Sequence, residues 1–110
     1  MKKNVLLFSH QMKVGGAPTV LCEMGKILNK KYNVVVLSPS DGAMRTQFEE
    51  AGISVLISGE ITDALRDMIV QEFDFAVANT TLALPFVVKL AGRMPVYWWI
   101  HENTLAYEGR

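Results

Sequence analysis

Short apolar runs of strand-forming residues alternate with segments of helical periodicity along this chain, and the alternation limits the possible folds. The continuous apolar run 34–37 is typical of a parallel strand buried on both faces. Five strands separated by four helices predict an α/β fold of the Rossmann-like type, a doubly wound parallel sheet with helices on both faces and strand order 3-2-1-4-5. The predicted strands span residues 5–8, 34–37, 53–57, 75–78 and 96–100.

Capping chemistry places the ends of the predicted helices. The first helix begins at about Pro18, since a proline in the first turn loses no hydrogen bond. Gly52 and Gly92 end the second and fourth helices, and Pro85 falls in the first turn of the fourth. Candidate N-caps of the third and fourth helices are Thr62 or Asp63, and Thr80 or Thr81.

The composition fits one domain, or part of one, and excludes some classes of partner. The chain has 110 residues, half of them hydrophobic, which is enough for a buried core. Its 11 basic and 11 acidic residues balance and are interspersed, so it lacks the basic face that nucleic-acid binding requires. No nucleic-acid partner is therefore expected.

Cysteine content and hydropathy predict a cytoplasmic location. Cys22 is the only cysteine, so an intramolecular disulfide is impossible and a reducing compartment is the natural interpretation. The apolar run after Lys3 has four residues, too few for a signal peptide, and no segment approaches the ~20 apolar residues of a membrane span. Peripheral contact with the inner face of the membrane stays open.

A glycine pair lies in the loop between the first strand and the first helix. Gly15 and Gly16 precede Ala17 and Pro18, where the helix begins. A helix start offers unpaired N–H groups and a partial positive charge, and glycines let a ligand come close to the backbone. The pair predicts a site for a phosphorylated or otherwise polar ligand, although a plain loop would have the same sequence.

Polar residues follow the predicted strands, at the edge where ligands bind in such sheets, and the crevice falls between the first and fourth strands. Capping alone explains Ser38 and Ser58. His101 is different, because an imidazole there can donate to a sugar hydroxyl or a phosphate, or take a proton, although a surface or capping histidine would have the same sequence. Glu102 either orients His101 or is solvated, and His10 either contacts a ligand or simply closes the first strand. The remaining candidates beside the crevice are Asn79 and Thr80.

Several enzyme classes are disfavoured by missing motifs. The dinucleotide fingerprint G-x-G-x-x-G is absent, and so are the P-loop and the serine nucleophile elbow. The two histidines have no neighbouring residues at metal-ligand spacing, so no metal site is predicted. A phospho-receiver domain would need acids where Ser9 and His10 follow the first strand.

The ordered set of segments resembles the N-terminal domain of retaining, nucleotide-sugar-dependent glycosyltransferases of the GT-B fold, family 4. Each segment is modest, but their order covers nearly the whole chain. The segments are 5–8, the loop closing on residues 15–18 with its helix, 34–39, 48–53, 79–83, and 95–96 leading to 100–102.

The resemblance implies that this domain receives the acceptor, while a C-terminal domain holds the nucleotide sugar as co-substrate. It implies transfer of a sugar to a glycan, a lipid or another acceptor, without a metal or another cofactor. Gly15, Gly16 and Ala17 would lie near the donor diphosphate, and His101 would be the catalytic residue near the transferred sugar. The expected acceptor-binding residues are Asn79, Thr80, His10 and Glu102.

The chain corresponds to only part of such an enzyme. Residues 1–102 are expected to form an incomplete N-terminal domain of the Rossmann-like type, and residues 103–110 an irregular tail at a truncation point. Without the second domain, the chain is expected to be inactive. The alternative is a stand-alone Rossmann-like module that binds a nucleotide or sugar without catalysis, and a reading frame that ends at Arg110 would favour it.

Overall fold

The computed structural model describes residues 2–79, 81–100 and 105–109, and it contains a six-stranded sheet with four α-helices. A 3-10 helix, Thr81–Ala83, precedes the last α-helix. The strands are β1 Asn4–Phe8, β2 Asn33–Ser38, β3 Ser54–Ile57, β4 Phe75–Asn79, β5 Val96–Ile100 and β6 Leu105–Gly109. The α-helices are α1 Gly16–Leu28, α2 Met44–Glu50, α3 Asp63–Glu72 and α4 Leu84–Leu90.

The sheet has the order β3-β2-β1-β4-β5-β6, and β1 to β5 are parallel, which confirms the predicted fold class and strand order. The strand order reverses at β1, which pairs with β2 on one side and with β4 on the other. From β1 the chain adds β2 and β3 on one side, and then β4 and β5 on the other side. The predicted crevice between the first and fourth strands therefore lies at this reversal.

The expectation of an irregular tail over 103–110 is wrong for residues 105–109. Leu105–Gly109 forms β6, antiparallel to β5, with Ile100 opposite Leu105 and Val96 opposite Gly109. Pairing supplies hydrogen-bond partners along what would otherwise be the open edge of β5. The sequence hides this strand, because glutamate and glycine are poor strand formers and Glu108 and Gly109 occupy its end.

Alternating residues of the central strand feed two separate cores. Val5 and Leu7 pack with residues of α1 and α2 on one face, whereas Leu6 and Phe8 pack with α3 and α4 on the other. The ring of Phe8 stacks on Phe86 of α4, with centroids 4.2 Å apart. The sheet is thus covered by a pair of helices on each face, as the apolar run of its strands requires.

The predicted helix ends are mostly confirmed. Thr62 caps α3, its hydroxyl accepting the N–H of Leu65 at 3.1 Å. Gly52 and Gly92 follow α2 and α4 with φ of +83° and +80°, a conformation that favours glycine. The first helix begins at Gly16 rather than Pro18.

The predicted cap of the fourth helix is wrong for Thr81. The 3-10 helix extends past Thr81, so the N-cap of α4 is Ala83, which makes no side-chain hydrogen bond. Pro85 lies in the first turn of α4, as predicted. Thr80, the other candidate cap, lies outside the described residues.

Two glycines without positive φ lie where neighbouring atoms leave little space for a Cβ. A Cβ on Gly25 of α1 would lie 2.9 Å from Ile53 Cδ1 and 3.0 Å from Leu7 Cδ1, so α1 sits low on the sheet. A Cβ on Gly42 would lie 2.5 Å from the carbonyl oxygen of Met12. The loop after β2 therefore touches the loop after β1 through backbone atoms, which cannot rotate away as a side chain can.

We expect Gly42→Ala to lower the free energy of unfolding by about 1–3 kcal/mol, since the added methyl overlaps backbone of the β1–α1 loop. Gly59→Ala is the matched control, because no atom lies within 4 Å of a Cβ at that position. Urea denaturation of both variants measures the difference. Equal stability of the two variants would contradict the close packing of these loops.

Candidate functional site

The glycine pair faces open space at the start of α1. Gly15 is the N-cap, with an extended backbone at φ 173° and ψ −178°, and a Cβ at Gly15 or Gly16 would meet no atom of the described residues within 4 Å. Extended backbone is accessible to any residue, so neither conformation nor crowding within the described chain requires glycine here. The free space leaves room for a ligand against the backbone.

The first turn of α1 is uncapped and carries no negative charge. Among the residues that the structure describes, no side chain bonds to its N–H groups, and no acidic residue lies in the first turn. The N–H of Thr19 is bonded to the Gly15 carbonyl at 3.1 Å, whereas Gly16 and Ala17 lie too early in the helix for such a bond. Two N–H groups and the positive end of the helix dipole therefore point out of this terminus, which can bind an anion.

Asn79 fixes this helix start to the end of β4. Its side chain is 1% exposed, and its Nδ2 donates to the carbonyl oxygen of Ala17 at 2.9 Å. The structure therefore brings Asn79 together with Gly15, Gly16 and Ala17, as the position of the crevice predicted. The bond gives Asn79 a positioning role that the sequence analysis missed, because the partners are 62 residues apart in the chain.

The β1–α1 loop is held by its neighbours. The Ser9 hydroxyl, buried at the end of β1, donates to the Gln11 carbonyl. Met12 is fully buried, and its carbonyl accepts the N–H of Met44 at the start of α2 with an N–O distance of 2.8 Å. These contacts, with the close approach of Gly42, fix the path that leads to the glycine pair. The sequence signal for these contacts was Gly42, in the loop between β2 and α2.

A cavity of about 620 Å³ lies at the same edge of the sheet, on the side of α3 and α4. Its walls come from the ends of β1 and β2, the β3–α3 loop and the segment that begins α4. The apolar lining residues are Phe8, Pro39, Ile61, Leu82, Pro85 and Phe86. The other lining residues are His10, Ser58, Gly59, Glu60 and Lys89.

His10, one of the lining residues, has an unpaired ring nitrogen. Its Nδ1 is buried and has no hydrogen-bond partner in the described structure. Burial lowers the pKa of His10 below its ordinary value of 6.5, so the imidazole is neutral at pH 7. The charged lining groups are Glu60 and Lys89, and the Lys89 ammonium lies 3.2 Å from Asp63 Oδ1. The Lys89 ammonium lowers the pKa of Asp63, mainly by donating a hydrogen bond to its carboxylate.

The other sequence candidates divide into two groups. Ser38 and Ser58 donate to nearby loop carbonyls, those of Ser40 at 2.9 Å and Glu60 at 2.8 Å, so they stabilise loops rather than cap helices. Thr80, His101 and Glu102 lie outside the described residues. Within the part of the chain that the structure describes, no three metal-binding side chains form a group that could hold an ion.

Comparison with known proteins decides the family. A model of glycosyl-transferase family 4 matches residues 1–110, the whole chain. The chain belongs to glycosyl-transferase family 4. A search of the curated proteins found no match. Among the described residues, no helix is long and apolar enough to cross a membrane.

Solved structures show the same fold for this family 4 chain. Two crystal structures of Alr3699/HepE from Anabaena, one in complex with UDP and glucose and one with UDP-glucose, match with TM-scores of 0.70 and 0.71. Their sequences are 23% and 24% identical to this chain. Each match covers 90% of this chain but only 30% or 29% of HepE, so the chain spans less than a third of that protein.

We expect His10→Leu to raise the free energy of unfolding at pH 7 by about 1 kcal/mol, because it removes a buried polar atom without a partner. The lowered pKa also means that, below pH 6.5, the unfolded state binds a proton that the folded state does not. His10 therefore costs stability as the pH falls through that value, and the leucine variant should lose less stability on acidification.

Urea denaturation at about pH 7.5 and pH 5 measures both effects. His10→Asn is the control, since it keeps a polar side chain but does not titrate there. It should flatten the pH dependence without the gain at pH 7. A destabilised leucine variant would contradict an unpaired Nδ1 in the folded chain.

Proposed function

We propose that this chain is the N-terminal, acceptor-side part of a nucleotide-sugar-dependent glycosyltransferase that transfers a sugar with retention of anomeric configuration. The observation that carries the proposal is the uncapped start of α1, open at Gly15 and Gly16 and located where the strand order reverses, in a chain of glycosyl-transferase family 4. The sheet edge offers an anion site there and a mostly apolar cavity beside it.

The donor diphosphate is proposed to lie against the first turn of α1. Negative charge develops on the diphosphate as it leaves the sugar, and the N–H groups of Gly16 and Ala17 with the helix dipole would stabilise that charge. Glycine at positions 15 and 16 would let the phosphates approach the backbone. A uridine diphosphate sugar is the first donor to test, because the HepE structures contain UDP or UDP-glucose.

His101 is proposed as the catalytic residue near the transferred sugar. It directly follows Ile100, the last residue of β5 in the sequence, and β5 is parallel to β4 and β1, so the end of β5 lies at the same edge of the sheet as the end of β1. Asn79, Thr80, His10 and Glu102 are the proposed acceptor-side residues. Asn79 would act in part by holding Ala17.

The rest of the proposal concerns the complete protein. A C-terminal domain would hold most of the nucleotide sugar, so the chain alone would be inactive. The complete protein would act in the cytoplasm. A stand-alone binding module is the second candidate, favoured by the presence of an apolar core on each face of the sheet. The two differ in a transfer assay with the protein encoded by the whole reading frame, since a binding module would hold a sugar or nucleotide without turnover.

We expect Gly15→Val in the complete enzyme to lower kcat/KM for the sugar donor at least about tenfold, because the side chain would occupy the space proposed for the diphosphate. Ala64→Val is the matched control, as it adds bulk to an exposed position in the first turn of another helix, α3. Donor consumption and product formation are measured for both. Equal rates would remove the glycine pair from the donor site.

We expect His101→Ala in the complete enzyme to lower kcat about a hundredfold or more, the range for loss of a residue that donates or takes a proton at the reacting centre. The unfolding midpoint should stay that of the parent enzyme, which separates chemistry from folding. An unchanged transfer rate would exclude His101 from the catalytic site.

A further inference from the structure

Four lysines lie at the amino ends of two neighbouring strands, at the end of the sheet opposite the glycine pair. Lys2 and Lys3 precede β1, whereas Lys30 and Lys31 precede β2. The two strands are parallel and begin in register, so the segments before them are neighbours. One open depression is lined by Lys2, Lys3, Lys31 and Tyr32. Together the four exposed lysines form a basic surface.

The ammonium groups of the basic surface have no ion-pair partner among the described residues. Within that part of the chain, the lysine ion pairs join Lys26 to Glu23 and Lys89 to Asp63. A lysine without a counter-ion keeps its attraction for an external anion, and several such lysines together attract a polyanion.

The dipole of α1 explains only half of the basic surface. Lys30 and Lys31 follow the C-terminus of that helix, where the dipole favours cations. Lys2 and Lys3 precede a strand, which offers no comparable dipole. The lysine side chains are not needed as caps either, because the Leu28 carbonyl already accepts two backbone N–H groups from the following turn. Stabilisation of the helix therefore does not account for all four lysines.

The rest of the chain has the opposite charge. The sequence has 11 basic and 11 acidic residues, so without these four lysines seven basic residues remain against eleven acidic ones. At the same end of the sheet, Asp74 accepts the N–H of Asn4 at 2.7 Å, which confines the positive charge to the side of β1 and β2. An anionic membrane would attract the basic surface and repel the remainder, which favours one orientation.

An exposed isoleucine adjoins the basic surface. Ile27 is 67% exposed, and its carbonyl accepts the N–H of Lys30 at 3.3 Å. Lys31 follows Ile27 by four residues, so both lysines lie on its side of the helix end. Lysines beside an exposed aliphatic side chain suit the interface of a membrane, where the ammonium groups meet phosphates and the apolar group enters the acyl boundary.

A nucleic acid fits this surface less well than a membrane. It offers phosphates but no apolar layer for Ile27. Single-stranded nucleic acids also stack their bases on aromatic rings, and the ring of Tyr32 is already packed edge-on against Phe75, with centroids 5.4 Å apart. The aliphatic neighbour therefore favours lipid as the source of the phosphates.

We propose that the basic surface and Ile27 bind the anionic headgroups of a membrane surface. Binding is peripheral, in the plane of the interface. The glycine pair lies beyond the other end of β1, a strand of five residues and thus about 17 Å long, so bound lipid leaves the candidate functional site open to water. This proposal does not depend on the proposed function.

The test measures sedimentation of this chain with vesicles of phosphatidylcholine that contain either no phosphatidylglycerol or about 30% of it. We expect binding to the anionic vesicles to be at least about tenfold tighter, and to weaken as salt is raised. Equal binding to the two compositions would overturn the proposal. Binding to polyuridylic acid without binding to the anionic vesicles would overturn it in favour of a nucleic-acid surface.

Lysine variants identify the charged contacts. Lys3→Gln and Lys31→Gln should each weaken binding to the anionic vesicles about fivefold, the contribution of one lysine near such a surface. Lys13→Gln is the matched control, because Lys13 is also exposed but lies beyond the other end of β1. Parent-like binding by a variant with both substitutions would overturn the assignment. All three side chains are exposed, so the unfolding midpoints should match that of the parent.

An isoleucine variant tests the apolar contact. Ile27→Ser should weaken binding to the anionic vesicles about three- to tenfold, since less apolar surface is buried. Val14→Ser should not, because Val14 is equally exposed, at 67%, but lies in the β1–α1 loop. Equal losses in the two variants would overturn the contact of Ile27 with the membrane.

The transfer assay separates this proposal from the proposed function. The complete enzyme with Lys3→Gln and Lys31→Gln should transfer sugar in solution at the parent rate, because these lysines are remote from the candidate functional site. Sugar transfer by a complete protein that does not bind anionic vesicles would overturn the membrane surface alone. Lysine-dependent vesicle binding by a complete protein that transfers no sugar would overturn the proposed function alone.

Discussion

The burial of β1 on all sides is the constraint on which the rest of this structure depends. Val5, Leu6 and Leu7 are fully buried, with α1 and α2 on one face and α3 and α4 on the other. The strand also pairs with β2 and β4, which places it at the reversal of strand order. A strand with so little freedom delivers the next residues, Ser9 and His10, to one fixed point at the edge of the sheet.

From that point the chain contributes to both candidate sites. His10 lines the cavity on the side of α3 and α4, and seven residues later Ala17 lies in the first turn of α1 on the opposite face. The helix start has partial positive charge without a counter-charge in its first turn, whereas the cavity has little net charge and mostly apolar walls. One loop therefore joins two environments of contrasting polarity.

The sheet could be predicted from the sequence because its signals are local. Each of the first five strands contains at least three contiguous apolar residues, and glycine or a capping residue ends or begins most helices. β6 escaped prediction because its formation depends on the open edge of β5 rather than on its own residues. The glycine pair was predictable for the same local reason. The cavity was not, since its walls come from distant segments around His10, Ile61 and Leu82.

The close packing of α1 on the sheet limits how far the helix can tilt. The helix contacts the sheet closely at Gly25, while Asn79 bonds to the carbonyl of Ala17 at the other end. The two points are eight residues, about 12 Å, apart along the helix axis. Tilting the helix would therefore require breaking the hydrogen bond from Asn79 or separating Gly25 from the sheet. The height of its first turn above the sheet is thus set by Gly25 and Asn79, neither of which lies in the loop between β1 and α1.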